Sequence, residues 1–187
     1  KNKIEELRNL LATPQRIVIL AHTNPDGDAI GSSLAWAELL KSEGHDVTCI
    51  VPNRYPYYLD FMPHSDTMVI YKSDSEGKAA KAVKGADVIF CLDFHTMSRL
   101  DGLSELLDEN QHAKRVLIDH HLDPMEDFDI MLSYPKASST CYLVALIIEN
   151  LYGAERITTD MAENLFVGMM TDTGIFAFSS VTPDVFR

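Results

Sequence analysis

His22-Thr-Asn-Pro-Asp-Gly-Asp28 follows the apolar run Ile17-Val-Ile-Leu-Ala21 and leads through Ala29-Ile-Gly-Ser-Ser33 into Leu34-Ala-Trp-Ala-Glu-Leu-Leu40. The stretch reads as strand, tight loop and helix. Pro25 and Gly27 force a turn that turns one imidazole and two carboxylates, Asp26 and Asp28, inward together, a set that suits a divalent metal. For Asp28 alone a helix cap is the better reading, because Asp is a favoured N-cap residue. Capping does not account for His22 and Asp26. The loop also follows a buried strand, and open α/β sheets place their ligands outside the carboxyl ends of their strands.

The rest of the chain repeats this alternation. Ile4, Leu7, Leu10 and Leu11 recur at helical spacing. A helix over 28–43 ends at Gly44, and 45–51 is a strand stopped by Pro52, which closes a β-α-β unit. The connection 53–63, with three tyrosines, is expected to pack its aromatic side chains on a sheet edge, with base stacking as the lesser alternative. Strands are expected over 67–71, 87–92 and 114–118. Helices are expected over 75–84, with Lys78, Lys81 and Lys84 solvated, and over 100–107, 138–152 and 158–170. The fold class is therefore α/β, a mostly parallel sheet flanked by helices, in one domain over 1–187.

Apolar strands end directly on ligand-type residues three times: at His22 with Asp26 and Asp28, at Asp93, and at Asp119-His120-His121. Parallel strands present their carboxyl ends on one edge, so these groups converge. Asp172, in Thr171-Asp-Thr-Gly174, is a fourth candidate. Singly, each has a plain reading: Asp93 as a cap, His120 as a core histidine, Asp172 as a turn residue.

Taken in order, His-x-x-x-Asp-x-Asp at 22–28, Asp93, Asp-His-His at 119–121 and Asp-Thr-Gly at 172–174 resemble the four motifs of the DHH phosphoesterases. Asn24-Pro-Asp-Gly-Asp-Ala-Ile-Gly-Ser-Ser33 and Ala137-Ser-Ser-Thr140 are most similar to its bacterial oligoribonuclease and pAp phosphatase branch, the nano-RNases. The resemblance runs from about residue 14 to the end. It implies one metal on His22, Asp26 and Asp93 and a second on Asp28, Asp93, His120 and Asp172, with Asp93 bridging. Mixed imidazole and carboxylate donors suit two Mn²⁺, with Mg²⁺ or Co²⁺ as alternatives. His121 would contact the phosphate or protonate the leaving oxygen, and Asp119 would orient a neighbouring histidine. Ser138, Ser139 and Thr140 open a helix that either receives phosphate oxygens or is simply capped there.

The implied function is two-metal hydrolysis of short oligoribonucleotides or of pAp, 3′-phosphoadenosine 5′-phosphate. A cyclic-dinucleotide phosphodiesterase, an exopolyphosphatase, a pyrophosphatase and a non-catalytic nucleotide-binding module stay open. Members of the branch carry a second, smaller domain that grips the substrate. Thr182-Pro-Asp-Val-Phe-Arg187 reads as the first turn of a further helix, so the chain is expected to stop short of that domain.

Composition limits the partners. A net charge of −12 opposes general adhesion to nucleic acid. Two divalent ions add four positive charges and take it to −8, concentrating the gain where a phosphate would sit. Cys49, Cys91 and Cys141 are distant in sequence and lie in apolar segments, as buried thiols do. No run approaches the roughly 18 apolar residues of a membrane span, and Lys1-Asn-Lys-Ile has no export signal, so a cytoplasmic location is expected. The reading leaves a homodimer open.

Overall fold

The computed structural model describes residues 2–124 and 127–172. The expectations for Gly174 and for a helical turn from Thr182 lie outside the described residues. The elements run α1 Lys3–Leu10, β1 Arg16–Leu20, α2 Gly27–Ser42, β2 Asp46–Val51, β3 Val69–Ile70, α3 Lys78–Gly85, β4 Val88–Leu92, α4 Leu103–Glu109, β5 Lys114–Asp119, β6 Ile130–Ser133, α5 Thr140–Tyr152 and α6 Thr159–Asp172. All six strands pair in parallel in the order β3-β2-β1-β4-β5-β6. The sheet is covered on both faces, as a parallel sheet requires.

Alternation along the strands divides the core. Ile17, Ile19, Phe90 and Ile118 pack under α1, α2, α5 and α6, with Trp36 edge-on to Phe90 at 5.5 Å. Val18, Leu20, Ile89, Cys91 and Leu117 face the other way, toward α3 and α4. The chain reverses its strand order between β1 and β4, and open α/β sheets form their ligand crevice at such a point, outside the carboxyl ends of the strands. Leu20 pairs with Cys91 and Leu92 with Ile118. The same register carried past the strand ends sets His22 level with Asp93, and Asp93 level with Asp119.

Helices α2 and α6 meet backbone to backbone. A Cβ on Gly31 would lie 2.3 Å from the Asn164 carbonyl oxygen, and one on Gly168 would lie 2.2 Å from Cys141 Sγ. Only glycine permits this approach, which delivers Asp172, at the end of α6, to the crevice.

The structure corrects three expectations. β6 is an additional edge strand, four residues long, with Ile130 and Leu132 buried on one side. The cap of α2 is Asp26, whose Oδ1 accepts from Ala29 N at 2.9 Å; Asp28 lies inside the first turn. In the 53–63 connection Tyr55 packs inward and its hydroxyl donates to the Ser65 carbonyl, but Tyr57, Tyr58 and Phe61 are exposed. The 3₁₀ turn Tyr57–Leu59 is the reason, because its three-residue period turns Leu59 and Met62 inward and the aromatic side chains out.

Candidate metal centre

His22 and His120 reach the crevice from β1 and β5 and are held in the same way. His22 Nδ1 lies 2.7 Å from the Thr23 carbonyl oxygen, and His120 Nδ1 lies 3.3 Å from that of Ala137. A proton on each Nδ1 satisfies these carbonyls and leaves each Nε2 with a lone pair turned to the acids. His22 Nε2 is 3.2 Å from Asp93 Oδ2 and 3.9 Å from Asp26 Oδ1. His120 Nε2 is 3.6 Å from Asp93 Oδ1, 3.7 Å from Asp28 Oδ2 and 3.3 Å from Asp172 Oδ2. It is buried, and none of these approaches has the distance and direction of a hydrogen bond. A buried imidazole nitrogen with three carboxylates around it and no hydrogen-bond partner among the described residues is the pattern of a cation ligand.

The acids are set as firmly. Asp93 is buried with φ 66°, a left-handed conformation that a non-glycine residue adopts at a cost and that active sites retain. Its amide donates to the Ile118 carbonyl at 3.1 Å, and its Oδ1 accepts the Thr140 hydroxyl at 3.0 Å. Asp28 accepts the Thr140 and Cys141 amides at 2.9 and 2.8 Å, one on each carboxylate oxygen. The helix N-terminus that the sequence offers to a phosphate is therefore directed at Asp28. Ser139 caps α5 through Tyr142 N, and the Ser138 hydroxyl is buried with no hydrogen-bond partner among the described residues.

Four groupings of donors meet here, each with one atom per residue inside 4.8 Å: His22, Asp26 and Asp93; Asp28, His120 and Asp172; Asp93, His120 and His121; and His95, Asp119 and His121. Asp93 turns one oxygen to each imidazole. The strain of the cluster shows in its acidities. Burial, then repulsion from Asp93 and Asp172, raises the Asp28 carboxyl well above its ordinary value. Burial pushes Asp172 up to about 6. Burial works the same way on Asp93, but the close approach of the His120 and His22 rings outweighs it and holds that carboxyl well below the usual range. A cation would relieve the repulsion at every member, and the imidazole and carboxylate donors fit Mn²⁺-like ions.

Residues 16–169 match the DHH family, N-terminal domain. The chain belongs to the DHH family. This DHH domain is 32% identical, over 95% of its length and 49% of the relative's, to the bifunctional oligoribonuclease and PAP phosphatase NrnA of Thermus thermophilus. It is 28% identical to the Bacillus subtilis protein of the same name, over 95% of the chain and 52% of that protein. It thus spans about half the length of the curated relatives it matches. An exopolyphosphatase-related protein from Bacteroides fragilis superposes with a TM-score of 0.94 at 37% identity, over 98% of this chain and 54% of that one.

Beside these donor groupings of the DHH domain, Asp119 is fully buried and its Oδ1 meets His121 Nδ1 at 2.6 Å. That hydrogen bond raises the His121 pKa above its ordinary value and leaves Nε2 as the ring atom free to exchange a proton. The His121 side chain is 41% exposed, open to a ligand in the crevice. Two nearby residues were not singled out in the sequence. His95 stacks on His121 with ring centres 5.1 Å apart, and Arg99 places Nη2 3.0 Å from His22 Nδ1. Their one signal is distance along the chain from Asp93, too general to select them.

Proposed function

We propose that this chain is the catalytic domain of a divalent-cation-dependent phosphoesterase that cleaves short oligoribonucleotides and removes phosphate from pAp. The observation that carries the reading is the pair of carbonyl-oriented imidazoles whose Nε2 atoms face opposite oxygens of Asp93. On this reading His22, Asp26 and Asp93 hold one ion, and Asp28, Asp93, His120 and Asp172 a second. Mn²⁺ suits the donors best. When bound, such ions supply an activated water and offset the charge that develops on phosphorus.

The chain's own residues do the rest. Thr140 and the first amides of α5 fix the direction of Asp93 and Asp28, so the acids do not have to be ordered when a ligand arrives. Asp119 keeps the proton on His121 Nδ1, so Nε2 is the atom that hands a proton to the leaving oxygen. The choice of short RNA and pAp is supported by the NrnA relatives. Their greater length supports a further substrate-positioning domain beyond the one present, and a cytoplasmic setting suits such substrates.

The test is a panel of a ribodinucleotide, pAp, a cyclic dinucleotide and polyphosphate, assayed with Mn²⁺ on the 187-residue chain and on the longer protein. We expect weak hydrolysis of bis-p-nitrophenyl phosphate by both. We expect the ribodinucleotide and pAp to be the preferred substrates of the longer protein, with much lower kcat/KM for the short chain. Preference for polyphosphate would overturn the substrate assignment, and equal efficiency on the dinucleotide would overturn the need for a second domain.

A further inference from the structure

His22 Nδ1 has two neighbours, the Thr23 carbonyl oxygen at 2.7 Å and Arg99 Nη2 at 3.0 Å. One ring nitrogen cannot serve both. Toward the carbonyl it must carry a proton; toward a guanidinium, which only donates, it must present a lone pair. The carbonyl belongs to the next residue and is the closer of the two, and a lone pair on Nδ1 would set two lone pairs against each other. The proton therefore sits on Nδ1. The same tautomer turns the Nε2 lone pair to Asp93 and Asp26, and an imidazolium would carry the Nδ1 proton as well. Arg99 thus meets His22 donor to donor.

The guanidinium has no ion pair and no other side-chain hydrogen bond among the described residues, yet its backbone is fixed. Its carbonyl accepts Thr23 N at 2.7 Å and its amide donates to the Thr96 carbonyl at 3.1 Å. No other Lys or Arg among the described residues hydrogen-bonds or ion-pairs with a member of the acid and histidine cluster. There is space as well. Chain neighbours of both residues, Thr23, Asn24, Ser98 and Asp101, line a cavity of about 590 Å³, which Lys72 lines as well.

We propose that Arg99 is a substrate ligand that binds a phosphate oxygen at the rim of the metal groupings. A planar guanidinium fork matches the oxygen edge of a phosphate and is always charged. The inference rests on the phosphoester reading above. It adds a cationic side chain, in contact with His22, to the groups that meet the anion.

The test uses the 187-residue chain and its Arg99→Met and Arg99→Lys variants in two titrations: Mn²⁺ into the metal-stripped protein, and inorganic phosphate into the Mn²⁺-loaded protein. We expect all three to bind Mn²⁺ with the same stoichiometry and affinity and to melt together. Phosphate affinity should fall at least about tenfold in Arg99→Met, the loss of one charge-assisted contact, with Arg99→Lys in between. Unchanged phosphate affinity, with weaker Mn²⁺ binding in Arg99→Met, would overturn the assignment and make Arg99 a residue that positions His22. A wild-type chain that takes up no Mn²⁺ would overturn the metal reading, and the Arg99 assignment with it.

Discussion

Asp93 Oδ2 lies 3.2 Å from His22 Nε2, and the two residues stand level at the ends of β4 and β1, on either side of the point where strand order reverses. The other oxygen of Asp93 faces His120 at 3.6 Å and receives the Thr140 hydroxyl. One carboxylate thus reaches both imidazoles, and its removal should affect both.

Asp93→Ala should reduce turnover below detection and lower Mn²⁺ uptake to less than one equivalent, whereas Asp26→Ala, at a half-exposed N-cap, should retain one ion. Metal analysis after gel filtration measures this. Near-normal uptake of two equivalents by Asp93→Ala would contradict the bridging assignment.

His120 and His121 are adjacent in sequence and differ in surroundings, one facing three carboxylates and the other tied to Asp119. His121→Ala should lower kcat by about 10²- to 10⁴-fold, as loss of a general acid does, and keep its metal. His120→Ala should lose metal. Steady-state kinetics beside metal content separates the two, and the reverse pattern would exchange their roles.

The sheet, most of the helices and the converging ligand residues were legible in the sequence because apolar strands run straight into charged groups, a pattern that burial enforces. β6 was not, because its buried residues Ile130 and Leu132 make too short an alternation to stand out after the polar stretch before it. The exchange of roles between Asp26 and Asp28 was hidden for a different reason. Either can cap by residue type, and only the arrival of the Thr140 and Cys141 amides, more than a hundred residues away, fixes Asp28 inward. Arg99 is set by the backbone contact between residues 23 and 99, which leaves no local mark.

Gly168→Ala tests how closely α6 must approach. Its Cβ would fall 2.2 Å from Cys141 Sγ and 3.1 Å from the Asp28 Cα, both inside the core. Urea unfolding should show a loss of about 1–3 kcal/mol from overpacking, with weaker metal binding because Asp28 and Asp172 move apart. Wild-type stability and metal affinity would show that the two helices separate at no cost.

Cys49 and Cys91 are fully enclosed, and burial pushes both thiols up to about 12. Raising the value removes thiolate at neutral and mildly basic pH, and the thiolate is the reactive form. The native protein at pH 8 should leave both unmodified by a disulfide reagent, and full reaction should follow only on unfolding. Rapid modification of the native chain would contradict this packing.

The central claim is that these side chains hold two divalent cations across Asp93, and anomalous scattering from crystals soaked in Mn²⁺ tests it most directly. The account predicts two peaks about 3.5–4 Å apart, the spacing of two-metal phosphoesterase sites. One should lie among His22, Asp26 and Asp93, and the other among Asp28, Asp93, His120 and Asp172. A single peak away from Asp93, or none at saturating Mn²⁺, would contradict it.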